Sequence, residues 1–102
     1  MAEPFAKVEA QRLARGFIVR GAYRFSVTHA EPAMAADEIT HKEVLNAIGL
    51  GEAHKAVLQA DGTCSYKFTR RDIGTAITFK FAGPAPTVFV IRTAWRLRRR
   101  RD

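Results

Sequence analysis

The residues of this chain best suited to chemistry are its three histidines and twelve arginines. A histidine changes protonation near neutral pH, so it can take or give a proton. An arginine carries a planar, permanent charge that fits a phosphate. His29 is the best placed histidine. It stands where the alternating run Tyr23–Thr28 gives way to a helical pattern, beside backbone N–H groups that a helix start leaves free for an anion. The competing reading is that His29 only caps that helix. His41 falls in the first turn of a second helix and His54 opens a strand, so both are expected to face solvent. No carboxylate spacing around these histidines suggests a metal site, and no cofactor is expected.

The charge points to the kind of partner. Seventeen Lys and Arg against ten Asp and Glu give +7, and six arginines lie between Arg92 and Arg101. Such an excess favours a polyanion: nucleic acid, an acidic protein or an anionic membrane surface. Arg92 follows the apolar run Val88–Ile91, where a charge needs a partner or an opening to water. Thr93 beside it can orient a phosphate or serve as an ordinary β-former. Arg70 and Arg71 stand at a strand end, and Lys67 and Lys80 at outward strand positions. Neighbouring strands bring such residues within reach of one phosphate. A solvated sheet face also alternates Lys and Thr, and Lys67 and Lys80 fit that description. Tyr66 and Trp95 can stack bases or pack in the core. Arg96, Arg98 and Arg99 belong to a basic tail running to Arg101. It would add salt-sensitive, sequence-blind affinity for a phosphate backbone, dock an acidic chain or aid solubility.

These side chains need a frame. A chain of 102 residues forms one domain. No apolar run is long enough to span a bilayer, so no membrane partner is expected. The start, MAEPFAKVEAQ, lacks an apolar core and holds Glu3 and Glu9, unlike a secretory signal. Cys64 is alone and reads as a small buried hydrophobe, so a cytoplasmic location is expected.

Residues 4–15 have a helical stripe, Ala6, Ala10, Leu13 and Ala14, with Pro4 at a first helical position. Gly16 and Gly21 bracket Phe17–Arg20, where the helix should stop or loosen. The stripe could lie on the domain's own sheet or await a partner chain. Tyr23–Thr28 alternates as a strand. Pro32 places the next helix start at His29 or just after, with its end near Asp37. Thr40 and Glu43 spell a capping box, with Ile39 and Val44 as its hydrophobic staple and Gly49 as the stop. Four strands then follow: Ala53–Ala60, Cys64–Phe68, Thr75–Phe81 and Val88–Ile91. Asp61-Gly62 is a two-residue hairpin turn if both residues take positive φ. Gly83-Pro84-Ala85-Pro86 breaks the chain before the last strand, which is apolar on both faces and reads as central. The fold class is α+β: an N-terminal helix, a strand, two short helices and a four-stranded, mainly antiparallel sheet.

The run V-T-H-A-x-x-x-M-x-x-x-x-I-T-x-x-E-V-x-x-A-I (Val27–Ile48) resembles the opening of a family of small domains grouped with RelE-like toxins, within the wider barnase, EndoU, colicin and RelE ribonuclease superfamily. V-L-Q-A-D-G-x-C-S-Y-K-F (Val57–Phe68) and V-F-V-I-R-T-A-W-R (Val88–Arg96) are similar to its later strands. The likeness covers residues 23–96, leaving 1–22 as an N-terminal helical extension and 97–102 as the basic tail. The family places arginines where this chain has Ala33 and Asp37, which implies weakened, redirected or lost cleavage if those arginines act on RNA.

The resemblance implies a metal-independent RNA endonuclease that attacks through the 2′-hydroxyl and leaves a 2′,3′-cyclic phosphate. His29 would be the acid or base, Arg92 with Arg70 or Arg71 the phosphate clamps, and Thr93 a positioner. Lys67, Lys80, Arg96, Arg98 and Arg99 would bind RNA, possible targets being ribosome-bound mRNA or tRNA. An antitoxin or immunity protein would restrain it. Two other readings stand beside this one: a non-catalytic RNA- or ribosome-binding module, and an interaction subunit with an acidic partner.

Overall fold

The computed structural model describes residues 3–97. Arg98 and Arg99 of the basic tail lie outside the described residues. Helix α1 (Lys7–Arg20) leads into strand β1 (Tyr23–Phe25), then helices α2 (Ala30–Asp37) and α3 (His41–Leu50). The short strands β2 (Glu52–Ala53) and β3 (Val57–Leu58) precede the long β4 (Cys64–Arg70), β5 (Ile73–Ala82) and β6 (Ala85–Arg96). The fold is α+β, with a six-stranded sheet in the order β1-β6-β5-β4-β2 and β3 paired to β4. The sheet is mixed: β1 runs parallel to β6, and the other pairs are antiparallel. The expected strand Ala53–Ala60 is split into β2 and β3, and β1 adds a parallel edge to the expected meander. That parallel pairing joins the two ends of the chain and leaves no local mark in the sequence.

Alternation decides which face is covered. Tyr66, Phe68, Ile77, Phe79, Phe89 and Ile91 turn to the helices, where they meet Ala14 and Phe17 of α1, Met34 of α2 and Val44 and Ile48 of α3. Among the described residues no helix covers the opposite face. Strand β6 is interior, as its sequence suggests, but it is covered on one side only. Val88 and Val90 are half-buried on the open face. Phe81, expected inward, lies beyond a second irregularity in the β5–β6 ladder and is exposed, stacked on Phe5 at 6.2 Å.

Packing also overrides three local expectations. Pro4 lies before the helix, because Phe5 turns into the core against Phe79 and its N–H donates to Tyr66 Oη at 3.0 Å. Helix α1 does not stop at Gly16; it runs to Arg20 because Phe17 is buried, which outweighs a glycine cost of about 1 kcal/mol. Helix α3 likewise passes Gly49 and ends at Leu50. Its terminal carbonyls are met by α1: Gln11 Nε2 donates to Ile48 O and Gly51 O, and Arg15 Nε donates to Gly49 O. The α1 stripe therefore serves the domain's own core.

The start of α3 is as its sequence reads. Thr40 Oγ1 accepts from Glu43 N–H, Glu43 Oε1 accepts from Thr40 N–H, and Ile39 and Val44 are both buried. Of the two histidines expected in solvent, His41 is exposed and His54 is half-buried, and each has a side-chain partner. His41 Nε2 is 2.7 Å from Glu31 Oε1 and its ring lies 4.1 Å from that of Phe25. His54 Nε2 is 2.9 Å from Thr69 Oγ1.

Candidate functional site

The strand-to-helix corner at Ser26–Ala30 is fixed by backbone geometry. Ser26 N–H donates to Ile91 O at 3.0 Å, which stitches the corner to β6. Ser26 Oγ accepts from His29 N–H at 3.2 Å, and Ser26 O accepts from Glu31 N–H at 3.0 Å. Ala30 and Met34 anchor α2 beneath the sheet. His29 takes the N-cap position, but its side chain makes no capping hydrogen bond. The helix start is also a poor anion trap. Glu31 N–H is already used, Pro32 has none, and Ala33 N–H bonds to His29 O. An anion held here must draw most of its contacts from side chains.

Those side chains are present. The exposed His29 lines a cavity of about 470 Å³ together with Thr28, Arg24, Lys80, Val90 and Arg92. Arg24 points out from β1 because Tyr23 and Phe25 point in, and it pairs in register with Val90. Arg92 is there because of a bulge. Ala76 pairs with Thr93 but Ile77 pairs with Ile91, so Arg92 is the extra residue. Ile91 and Ala94 stay buried while Arg92 and Thr93 both face the open side. Among the described residues, Arg24, Lys80 and Arg92 form no ion pair. Three cations around one concavity make a local positive potential that an anion relieves.

Arg92 borders a second cavity as well, of about 460 Å³, lined also by Asp61, Thr63, Ser65, Thr78 and Thr93. The β3–β4 turn forms one wall. It is not the two-residue hairpin turn expected of Asp61-Gly62. Gln59 N–H donates to Thr63 O and only Gly62 takes a positive φ, of 89°. Asp61 Oδ1 instead accepts from Thr63 N–H at 3.0 Å and from Thr63 Oγ1 at 2.7 Å. These bonds hold its carboxyl below the ordinary carboxylate range, with a weaker pull from Arg92. Beneath the cavity the Thr78 hydroxyl is buried with no hydrogen-bond partner among the described residues, an arrangement that costs about 1–3 kcal/mol.

The remaining candidates fall elsewhere. Arg70 and Arg71 line a separate cavity of about 320 Å³ with Glu43 and Asp72, because Arg71 turns the chain there with φ 56°. They do not join Arg92. Lys67 is on the open face, with its Nζ 5.9 Å from the centre of the Trp95 ring. Arg96 is occupied: its guanidinium donates to Asp37 O, Glu38 O and Asp72 Oδ2, and its N–H donates to Asp37 Oδ2. Tyr66 cannot stack a base, being buried, with its hydroxyl donating to Glu3 Oε2 at 2.8 Å. Burial pushes its phenol far above the ordinary tyrosine range and raises the Cys64 thiol as well. Among the described residues no cluster of His, Cys, Asp and Glu could hold a metal. Sequence reasoning missed Arg24, although its outward position follows from the alternation of Tyr23 and Phe25. It also missed Asp61, Ser65 and Thr78, which only the register brings together.

No helix among the described residues is long and apolar enough to cross a membrane. Compared with models of known families, with curated proteins and with solved structures, the chain matches none.

Proposed function

We propose that this protein is a small RNA endonuclease of the RelE-like type that works without a metal ion, with RNA lying across the open face of the sheet. One observation carries the reading: His29 and Arg92, far apart in sequence, line one cavity with Arg24 and Lys80. Arg92 and Lys80 would hold the phosphate and stabilise the charge that builds on it. His29 would take the proton of the 2′-hydroxyl or give one to the 5′-oxygen that leaves. The 2′-oxygen bonds to phosphorus as the bond to the 5′-oxygen breaks, giving a 2′,3′-cyclic phosphate and a 5′-hydroxyl. Thr93 borders the neighbouring cavity and would position the adjoining nucleotide. Lys67 and Trp95 would extend the surface. A partner that restrains such an enzyme would be acidic and would cover this face, since the α1 stripe is already buried.

A second reading, RNA binding without cleavage, is favoured by a specific observation. His29 is the one histidine lining its cavity, no carboxylate lines it, and position 33, one helical turn on, holds Ala33. The test is incubation of purified protein with single-stranded and ribosome-bound RNA in the presence of a chelator. Fragments ending in a 2′,3′-cyclic phosphate, reduced by roughly 10²-fold or more in His29→Ala, support the enzyme. Salt-sensitive binding with intact RNA supports the second reading.

A further inference from the structure

We propose that the cavity between the β3–β4 turn and Arg92 is a nucleoside subsite, taking the sugar and base of the nucleotide whose phosphate Arg92 holds; this rests on the RNA reading above. The lining differs in kind from the His29 cavity. There the charged groups are cations around a histidine. Here one cation, Arg92, is balanced by one carboxylate, Asp61, and the other polar side chains are the amide of Gln59 and the hydroxyls of Thr63, Ser65, Thr78 and Thr93. Such a lining repels no neutral ligand and selects one rich in both donors and acceptors. Hydroxyls give and accept hydrogen bonds, a carboxylate only accepts, and a guanidinium only donates. The sugar and base of a ribonucleoside present all the matching groups. A volume of about 460 Å³ falls in the range of small-molecule sites.

Two details place the ligand. The bulge at Arg92 aims two consecutive residues at the open face, so one arginine borders both cavities. A chain whose phosphate lies on Arg92 therefore has its next sugar over Thr93. The Thr78 hydroxyl is the one buried side-chain polar atom without a partner among the described residues, and it lies under this cavity. A ligand hydroxyl or base edge that reached it would supply the missing bond.

The test uses the full chain, labelled for amide NMR, with adenosine and uridine 3′-monophosphates, inorganic phosphate and a short RNA oligonucleotide as probes. The expected result is that phosphate shifts the amides of Arg24, His29 and Arg92. The monophosphates should in addition shift Thr63, Ser65, Thr78 and Thr93. Thr78→Val combined with Ser65→Ala, which leaves every charge in place, should weaken the monophosphates roughly tenfold and leave phosphate unchanged. The valine removes an unpartnered hydroxyl, so this variant should fold. Monophosphates that shift only what phosphate shifts would overturn the subsite and leave the RNA reading standing. If the oligonucleotide shifts neither cavity, the RNA reading fails and the subsite with it.

Discussion

Gly74 offers a test of the open face that needs no ligand. It lies on β5 opposite Trp95 of β6. A Cβ added there would sit 2.5 Å from Trp95 Cε2 and 2.7 Å from Cζ2 and Nε1. Non-bonded carbons rest about 3.5–4.0 Å apart, so the indole must swing away. The strand itself would gain from alanine, by roughly 0.5–1 kcal/mol over glycine. Overpacking costs about 1–3 kcal/mol and wins, so Gly74→Ala should destabilise by about 1–2 kcal/mol. In a domain of this size that lowers Tm by several degrees. Trp95 is the one tryptophan in the chain, so its emission should move to the red as the ring leaves the sheet and the Lys67 ammonium. The decisive arm is the double variant. In a Trp95→Ala background the clash is gone, and Gly74→Ala should turn stabilising by about 0.5–1 kcal/mol. An equal loss in both backgrounds would refute the reasoning, because something other than the indole would then require glycine.

Other outcomes follow from the same geometry. Thr40→Ala removes one half of the capping box and should cost about 0.5–2 kcal/mol in urea unfolding, whereas Thr40→Asn should cost little. Arg96→Ala frees the Asp72 carboxylate and the Asp37 and Glu38 carbonyls at the end of α2 and should cost about 1–2 kcal/mol. Arg92→Ala, which breaks no ion pair among the described residues, should stay within about 0.5 kcal/mol by the same measurement. Tyr66 sets an alkaline limit. Its phenol is raised by burial and then by Glu3, so the folded state holds the proton more tightly than the unfolded chain, whose value is 10.0. Its contribution is complete below that value and declines as pH rises above it. The urea midpoint should therefore fall above about pH 10, and fall less in Tyr66→Phe.

Much of the helical layer was legible because its signals are local. The T-H-K-E box fixed the start of α3, and Pro32 placed the cap of α2 at His29. Alternation placed Cys64, Tyr66 and Phe68 on one face of β4. The errors arose where distant contacts decide. Gly16 and Gly49 read as helix ends, yet the buried Phe17 and the hydrogen bonds from Gln11 and Arg15 carry both helices past them. The pairing of β1 with β6 brings Arg24 and His29 to Arg92, and no spacing within either segment reveals it. Arg70 and Arg71 read as partners of Arg92 because all three stand at strand ends. The left-handed turn at Arg71 belongs to a cavity beside α3. Arg96 read as a free cation, but the Asp72 carboxylate and the carbonyls of Asp37 and Glu38, remote in sequence, occupy it.

The central claim is that His29 and Arg92 act on the same phosphate. Single-turnover RNA cleavage by the wild type, His29→Ala, Arg92→Ala and the double variant tests it most directly. The account predicts that each single change slows cleavage by roughly 10²-fold or more, and that the double variant is slower by much less than the product of the two. Fully multiplicative losses, or cleavage that survives both changes, would contradict it.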